Sequence, residues 1–438
     1  MMSGASTCGA RAFACQDAQV TFPADPGDLA LSSVADETAG VRRAAHSARI
    51  MLGRAFVAES ADYGVLLGLT LFIVVFGLLM VLSSSYVDAH STGSGDLSKF
   101  ATQAAYALVG IPLMLFVSRL PVRFWQRISL IALIGSCALQ CLVVFTPLGE
   151  KINNNTNWLH LGPIVFQPSE LIKMALVVWL GTFFTRKKDK LRSFRETLLP
   201  ALIVTVVPLA LVVKGGDLGT TMVLGLMLLG VLFFVGVPLW QLGVVGVGAA
   251  LAALTLAFSS RNRTDRILAF LHPTAADPNG TGYQILQAHW GMADGGVLGV
   301  GLGNSESKWN WLPASSTDFI YAITAEELGM IGAILVLVLF CALAVVLLRV
   351  IRTSPSVFVR AATGGIFAWI IGEAVINIAV VLGLFPVLGV PLPLFSSGGT
   401  SLISTLVALG IVLGFARKQE RRDDGMVTAA AAPRRRTA

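Results

Sequence analysis

Long apolar runs separated by short polar segments are the dominant pattern along this chain. A helix needs about 20 apolar residues to cross the hydrocarbon core of a bilayer, and ten runs are close to that length or longer. The pattern therefore predicts an all-α polytopic membrane protein with about ten transmembrane helices. The predicted helices lie at 63–83, 100–118, 128–146, 168–185, 197–213, 218–236, 238–258, 319–349, 357–384 and 400–416.

Two of these runs depart from a regular helical pattern. The run 197–213 is short and carries Pro200 and Pro208. The run 357–384 is long and contains Glu373 and Asn377, which leaves room for a tilt or a break. Proline removes a backbone hydrogen-bond donor and polar side chains are costly in lipid, so we expect irregular geometry in both spans.

Three polar segments complete the predicted organisation around a transmembrane domain at 61–416. Residues 1–60 contain no run long enough to span a membrane and predict a mostly disordered N-terminal tail. Residues 417–438 predict a second, charged tail. Between the seventh and eighth helices lies a loop at 259–317, and its aromatic residues would allow it to fold back onto the membrane surface. Loops of that length are usually functional or disordered.

Basic residues are distributed unevenly among the segments that connect the runs. Lys and Arg concentrate in the cytoplasmic loops of membrane proteins. With both tails in the cytoplasm, the short inside loops hold twelve Lys and Arg residues and the outside segments hold seven. We therefore predict that both tails are cytoplasmic and that the loop 259–317 is extracytoplasmic.

Composition agrees with a membrane protein. Hydrophobic residues make up 55% of the chain and charged residues 13%, whereas about a quarter of the residues in a soluble globular chain are charged. The net charge of +7 would suit nucleic acid or an anionic membrane. Because the topology accounts for most of this charge, we expect a membrane and no nucleic acid as partner. The five cysteines show neither a metal-binding spacing nor a disulfide framework.

Charged residues inside or beside the apolar runs are costly to bury and mark candidate functional positions. Glu170 and Lys173 open the fourth run three residues apart, so they can neutralise each other on one helix face. They form either a structural ion pair or a pair that faces a substrate. Asp217 is well placed to cap the sixth helix.

The long outside loop combines glycine with basic residues. Five glycines lie between Gly295 and Gly303, and closely spaced glycines let backbone N–H groups approach a phosphate. Arg266 and Lys308 would be able to meet the same anion. The alternative is interfacial positive charge with flexible turns. A dinucleotide fingerprint is a poor interpretation, since no strand precedes the glycines.

Asp318 lies at the outer end of the eighth predicted helix. Partial burial would raise its pKa, whereas the helix dipole favours the charged form. An ionised but poorly hydrated carboxylate suits a general base; a plain helix cap is the alternative. Glu326 and Glu327, two turns deeper, are expected to hold the bundle together rather than react.

The last outside loop carries Ser396, Ser397, Gly398 and Gly399 at the start of the tenth run. A helix start presents unpaired N–H groups and can receive an anion. The prolines before it, Pro386 to Pro393, forbid a regular helix there. Ser396, Gly398 and Gly399 are therefore candidate substrate-binding residues.

With these motifs placed, residues 60–416 resemble the SEDS family of bacterial cell-wall proteins, which includes FtsW and RodA. The Gly301–Ser305 and Leu82–Ser85 stretches look more like the division member, FtsW. The ordered motifs that carry the resemblance are Gln167-Pro168-Ser169-Glu170 with Lys173, Asp217-Leu218-Gly219-Thr220, Gly282-Tyr283-Gln284, Gly295 to Gly303, Leu312-Pro313 with Thr317-Asp318-Phe319-Ile320, Glu326-Glu327-Leu328-Gly329, and Pro391-Leu392-Pro393 with Ser396-Ser397-Gly398-Gly399.

The resemblance implies a peptidoglycan glycosyltransferase that polymerises lipid II, an undecaprenyl-diphosphate-linked glycan, outside the plasma membrane. It implies that Asp318 is catalytic. A division role further implies a class B penicillin-binding transpeptidase and other divisome membrane proteins as partners, at the septum. The chain departs from the family where an arginine pair is usual, since Asn154 to Trp158 holds none.

The expected reaction is a single displacement at an anomeric carbon, with Asp318 as base. Arg266, Lys308 and the Gly398–Gly399 turn are candidates for binding the departing diphosphate. A divalent cation (Mg²⁺ or Mn²⁺) would be able to assist, but no obvious ligand cluster marks a metal site and no other cofactor is expected. The alternatives are a lipid II flippase, suggested by the charges within spans, and a non-catalytic division scaffold.

Overall fold

Each of the ten apolar runs contains a helix in the three-dimensional structure. A computed structural model describes residues 61–92, 98–152, 155–161, 164–259, 261–271, 282–309 and 311–431. The predicted N-terminal tail, residues 1–60, lies outside the described residues. The helices are α1 (Ala61–Thr92), α2 (Ser98–Val117), α3 (Val122–Phe145), α4 (Pro168–Arg186), α5 (Leu199–Lys214), α6 (Leu218–Val235), α7 (Leu239–Ala257), α8 (Arg261–Leu271), α9 (Tyr283–Gly295), α10 (Ile320–Thr353), α11 (Val357–Val381) and α12 (Gly399–Ala431).

Within the described part of the chain, nine helices are long and apolar enough to cross a membrane. They are α1, α2, α3, α5 with the π-helical turn that precedes it, α6, α7, α10, α11 and the apolar part of α12. The remaining predicted span, α4, is 19 residues long, and 14 of these residues are buried. It packs chiefly against α3 and α11. The all-α polytopic fold is thus confirmed, with the charged α4 enclosed by its neighbours.

Irregular geometry was expected in two spans, and for one of them the expectation was wrong: helix α11 is continuous from Val357 to Val381. Its Asn377 side chain bonds to groups outside the helix. Asn377 donates to the backbone carbonyls of Asp318 and Val390, at 2.8 and 2.7 Å. Helix α5 tolerates Pro200 in its first turn and Pro208 inside.

Glycines let the helices pack closely. A methyl group added at Gly410 of α12 would lie 2.6 Å from the carbonyl oxygen of Met114 in α2, and one at Gly414 would lie 2.7 Å from that of Ser118. A methyl group at Gly230 of α6 would lie 2.5 Å from Cβ of Ala368 in α11. Small residues at helix contacts allow this approach, which is the usual way helices associate in lipid.

Two regions have structure that the apolar pattern does not predict. A three-stranded antiparallel sheet follows α3, with strands β1 (Gly149–Ile152), β2 (Asn155–Leu161) and β3 (Ile164–Phe166) in that order. The long loop contains α8 and α9. The backbone of α12 continues to Ala431, within the segment predicted to be a charged tail.

Candidate active site

Asp318 lies two residues before α10 and does not cap it. The cap position is Phe319, and no side chain there accepts a hydrogen bond from the helix. Neighbouring elements instead fix the backbone around Asp318. Its carbonyl oxygen accepts the bond from Asn377 of α11, and the Ser396 hydroxyl donates to the carbonyl of Thr317 at 2.6 Å. The Asp318 side chain is therefore available for a role other than capping.

A cavity of about 840 Å³ opens beside this carboxylate. Helices α4, α6, α7, α8 and α11, strand β2 and the loop before α12 contribute side chains or backbone to its wall. The charged residues that line it are Glu170, Asp217, Arg263, Arg266, Asp318 and Glu373. Apolar residues of α7 and α8, among them Leu254 and Phe270, line it as well. A site with an apolar wall and a few charged groups suits an amphiphilic substrate.

Two arginines of α8 reach the cavity. Arg263 donates to the carbonyl of Gly216 at 3.0 Å, and Arg266 donates to that of Val387 at 3.3 Å. Burial lowers the pKa of Arg266, and the nearby Asp318 carboxylate opposes that shift. A guanidinium is charged at any physiological pH, so Arg266 supplies positive charge next to Asp318.

The surroundings of Asp318 raise the pKa of its carboxyl group. Burial raises the pKa of Asp318 to about 6; Arg266 opposes this shift and Asp217 adds to it. A pKa of that size leaves the carboxylate mostly ionised at neutral pH while making it a better proton acceptor than an ordinary aspartate. These are the properties that a general base needs.

Asp217 caps α6, as the sequence indicates, and also lines the cavity. Its carboxylate accepts bonds from the backbone N–H and the hydroxyl of Thr220, at 2.8 and 2.7 Å. The Gln167 amide donates a third bond at 3.3 Å. Burial raises the pKa of Asp217, while the bonds from Thr220 oppose that shift.

Below the cavity, Glu170, Lys173 and Glu373 form a buried charged triad. The Lys173 ammonium lies 2.8 Å from Glu170 and 2.7 Å from Glu373, and 4.7 Å from the centre of the Trp369 ring. The Ser404 hydroxyl donates to the second oxygen of Glu170 at 2.7 Å. The predicted ion pair is thus present. Lys173 is 1% exposed and does not reach the cavity, whereas Glu170 lies at its wall.

With this geometry in place, comparison with known proteins identifies the family. Residues 64–421 match the family of cell cycle proteins named for FtsW, RodA and SpoVE. This chain belongs to the FtsW/RodA/SpoVE family. It is 36% identical over 358 residues to a probable peptidoglycan glycosyltransferase FtsW of Mycobacterium tuberculosis, covering 82% of this chain and 68% of that protein. It is 33% identical to stage V sporulation protein E of Bacillus subtilis, covering 80% and 95%.

Solved structures agree with the fold. One, described as a peptidoglycan synthase complex that coordinates polymerization and crosslinking, matches with a TM-score of 0.66 and 29% identity, covering 81% of this chain and 97% of that one. The RodA protein of Thermus thermophilus matches with a TM-score of 0.61 and 26% identity, covering 83% and 99%. Both similarities thus cover about four fifths of this family member.

Lys308, which was predicted to meet the same anion as Arg266, has a buried partner in the structure. Lys308 is 2% exposed and pairs with Glu327 of α10 at 3.1 Å. Ser83 of α1 donates to both oxygens of Glu327, at 2.6 and 2.7 Å. Lys308 is not part of the cavity wall. A buried carboxylate in a span is unfavourable without a compensating cation, and Lys308 supplies that cation for Glu327.

The glycine stretch also serves structure rather than phosphate binding. Helix α10 breaks at Gly329, which has φ of +67°, and the stretch pairs with the broken turn. Val300 and Gly301 donate to the carbonyls of Glu326 and Glu327, each at 3.0 Å. Gly296 accepts from Met330 at 3.0 Å. The glycine backbone thus satisfies the groups that the helix break leaves unpaired.

Of the three residues predicted from the last loop, one reaches the cavity. Gly398 lines it together with Ser397. Ser396 is buried and bonds the backbone of Thr317 and Leu392. Gly399 lies under Tyr106, because a methyl group there would come within 2.2 Å of the ring. Ser396 and Gly399 therefore shape the loop, and a contact of either residue with substrate stays a prediction.

Sequence reasoning missed Arg263 and Gln167 as cavity residues. Arg263 and Arg266 are three residues apart, a spacing that places both on one helix face. This spacing indicates a shared face only if residues 261–271 form a helix. Because the segment is short and polar, the apolar pattern did not predict a helix there. Gln167 precedes α4 in a motif whose charged residues, Glu170 and Lys173, were the functional candidates.

Proposed function

We propose that this protein polymerises lipid II into glycan strands by glycosyl transfer at the outer face of the plasma membrane. The observation that carries this proposal is the Asp318 carboxylate, which faces a large cavity next to Arg266 in a member of a family with peptidoglycan glycosyltransferases. A base and a cation at one site are the two groups that the reaction requires.

In the proposed reaction, a sugar hydroxyl of one lipid-linked precursor attacks the anomeric carbon of another. The new glycosidic C–O bond forms as the bond from the anomeric carbon to the diphosphate oxygen breaks. The hydroxyl proton passes to Asp318, and the lipid diphosphate leaves with the bonding electrons. Arg266 and Arg263 supply positive charge for the departing diphosphate. One base with a single displacement favours inversion at the anomeric carbon.

The proposed sidedness places both tails in the cytoplasm and the cavity mouth outside. The support is the excess of Lys and Arg in the segments that would face the cytoplasm. With this orientation the loop that carries α8 and α9 meets the precursor after it has crossed the bilayer. The undecaprenyl tail would stay in the outer leaflet while the sugar reaches Asp318.

We propose a class B penicillin-binding transpeptidase as the partner, and a place among the divisome membrane proteins at the septum. The matched peptidoglycan synthase complex couples polymerization to crosslinking, which supports the transpeptidase. The FtsW relatives support the division role.

The geometry gives less support to the flippase hypothesis. That hypothesis was based on charged residues within the spans. Glu170, Lys173 and Glu373 are paired with one another, and Glu326 accepts hydrogen bonds from the Ser305 hydroxyl and the backbone N–H groups of Glu306 and Ser307. Their contacts give them a structural role without a transported group. A purely structural scaffold, in turn, has no need of a buried carboxylate beside a large cavity.

A divalent cation is the remaining expectation. Among the described residues, no group of three His, Cys, Asp or Glu side chains could hold a metal ion. We propose that Mg²⁺ or Mn²⁺ enters the site together with the diphosphate that it neutralises, because phosphate oxygens can complete its coordination.

The Asp318→Asn variant tests the enzymatic proposal. Asn has the same shape but cannot accept the proton, so we expect the rate of polymer formation to fall by about 100-fold or more. The measurement uses full-length protein in liposomes with the cognate transpeptidase and labelled lipid II. Asp265→Asn is the matched control, since Asp265 is an exposed residue of α8, and it should retain full activity.

A flipping assay with fluorescent lipid II in the same liposomes separates the alternatives. Polymer formation by Asp318→Asn at the wild-type rate would remove Asp318 from the base role. Flipping without polymerisation by the wild-type protein would favour the transporter, and the absence of both activities would favour the scaffold.

A further inference from the structure

A second carboxylate, that of Asp217, shares the cavity with Asp318. The Asp217 carboxylate accepts three hydrogen bonds, two from Thr220 and one from Gln167. Burial raises the pKa of Asp217, and the bonds from Thr220 oppose that shift because donors to a carboxylate favour its ionised form. Among the described residues no Lys or Arg side chain makes an ion pair with Asp217. A cap alone would be served as well by an uncharged Asn or Ser, so the charge itself requires an explanation.

One short stretch of the loop before α12 lies near both carboxylates. A methyl group added at Gly219, which would lie 3.7 Å from Asp217 Oδ1, would also lie 2.9 Å from the carbonyl oxygen of Leu388. A methyl group added at Gly389 would lie 3.8 Å from Asp318 Oδ2. Leu388 and Gly389 are neighbours in sequence, so both acids lie beside the same stretch of backbone and line the same cavity. Its positive φ of +72° at Gly389 favours glycine and lets the chain pass close to Asp318.

We propose that Asp217 is a positioning residue for the glycosyl transfer, whose fixed negative charge makes Asp318 a stronger base. The inference rests on the proposed function, in which Asp318 accepts the hydroxyl proton. A nearby negative charge disfavours the ionised form of a carboxylate and so increases its affinity for a proton. The raised pKa of Asp318, to which Asp217 contributes, agrees with this arrangement.

The opposing charge is Arg266, which favours the ionised form of Asp318. Arg263, Glu170 and Glu373 also line the cavity, and Lys173 and Glu170 act on Asp217. When the donor diphosphate binds Arg266, it neutralises that positive charge, while Asp217 keeps its negative charge. Asp318 thereby becomes a stronger base at the step in which the donor is in place. Binding of the donor and activation of the base are coupled through these charges.

The Asp217→Asn variant separates the charge from the cap. Asn is as good a helix cap as Asp, so α6 should form normally. With the charge removed, the acid limb of the profile of kcat against pH should move to lower pH. The plateau rate should fall by roughly threefold, because a weaker base accepts the proton less readily. The measurement is lipid II polymerisation by the full-length protein with its transpeptidase, over a range of pH.

Thr221→Val is the matched control. Thr221 donates to the backbone carbonyl of Asp217 at 2.6 Å, so the substitution perturbs the same helix turn and leaves the carboxylate in place. It should keep the acid limb at the wild-type position. Should Asp217→Asn fail to fold, Asp217→Ser offers a second uncharged cap and the same expectation.

The outcomes distinguish this inference from the proposed function. An acid limb at the wild-type pH in the uncharged variants, with Asp318→Asn inactive, would overturn the role of Asp217 alone. An equal shift in Thr221→Val would assign the effect to the helix turn and overturn it as well. Full activity of Asp318→Asn would remove the base on which both proposals depend.

Discussion

At the residue scale, Asp318 meets two opposing demands. Proton transfer needs a carboxylate that is ionised and poorly hydrated, yet burial of such a group is unfavourable for folding. Its partners are arranged accordingly: Asn377 and Ser396 bond the backbone around Asp318, while Arg266 acts on the side chain through its charge. The position is fixed by backbone contacts, and the carboxylate remains free to react.

This arrangement predicts that Asp318→Asn stabilises the protein at neutral pH. The pKa of Asp318 in the folded protein is about 6 and lies above that of an unfolded aspartate, about 3.9. A carboxyl group whose pKa is raised on folding contributes its full stabilisation at a pH below the pKa of the unfolded state. That contribution is lost as the pH rises through about 6, the pKa in the folded protein. Above that pH the buried charge is unfavourable by about 1–3 kcal/mol, allowing for partial exposure, and Asn avoids it.

Thermal unfolding in detergent at several pH values checks this expectation. The melting temperature of Asp318→Asn should exceed that of the wild type at neutral pH, and the difference should vanish near pH ~4, where both side chains are neutral. A variant that is less stable than the wild type at neutral pH would show that Asp318 has a structural role.

At the element scale, the break in α10 determines how the preceding loop packs against the bundle. Gly329 has φ of +67° and ψ of −164°, a conformation that is essentially restricted to glycine. The break exposes backbone groups to which the glycine stretch 295–301 bonds. Glu326 and Glu327 then hold the loop from Ser305 to Lys308. The two glutamates thus fasten the loop to the bundle, as their position in a span suggested.

Gly329→Ala should therefore destabilise the protein by about 2–4 kcal/mol, since it combines a strained backbone with a steric overlap. The added methyl group would lie 2.4 Å from the backbone of Gly299 and of Val297. Gly225→Ala is the control, because that glycine of α6 has nothing within 4 Å of an added methyl group and alanine favours a helix. Equal melting temperatures for the two variants would contradict this account of the break.

At the scale of the whole molecule, the buried triad joins helices from distant parts of the chain. Lys173 of α4 bonds Glu373 of α11, 200 residues later, and Ser404 of α12 bonds Glu170. The three helices meet directly beneath the cavity. This ionic contact compensates the charges of α4 and so allows the helix to be buried inside the bundle.

Lys173→Met should be strongly destabilising, by about 3–5 kcal/mol, because it leaves two buried carboxylates without a cation. Glu373→Gln is the informative comparison, since it keeps one balanced pair between Lys173 and Glu170 and should be tolerated better. The fraction of monodisperse protein after heating measures both. If Glu373→Gln were the more harmful of the two, the charge balance proposed for the triad would be wrong.

The position of most helices followed from the sequence because length and apolarity are local properties. The cap at Asp217, the pairing of Glu170 with Lys173 and the structural role of Glu326 and Glu327 followed as well, since each depends on spacing along a helix. The pairing of Lys308 with Glu327 did not follow from the sequence, because the charge of Lys308 alone suited an anion. Its buried partner Glu327 lies within reach only after the loop has docked on α10.

The sequence by itself therefore determined the membrane class, the helices, the family motifs and the identity of Asp318 as the candidate base. Only the tertiary structure decided which charges share the cavity. It placed Arg263, Arg266 and Asp217 around the same cavity as Asp318, and it placed Lys308, Ser396 and Gly399 outside the cavity wall. The physical reason is that the free energy of a buried charge depends on partners that are remote in sequence, and the pattern along the chain does not specify which of them come into contact.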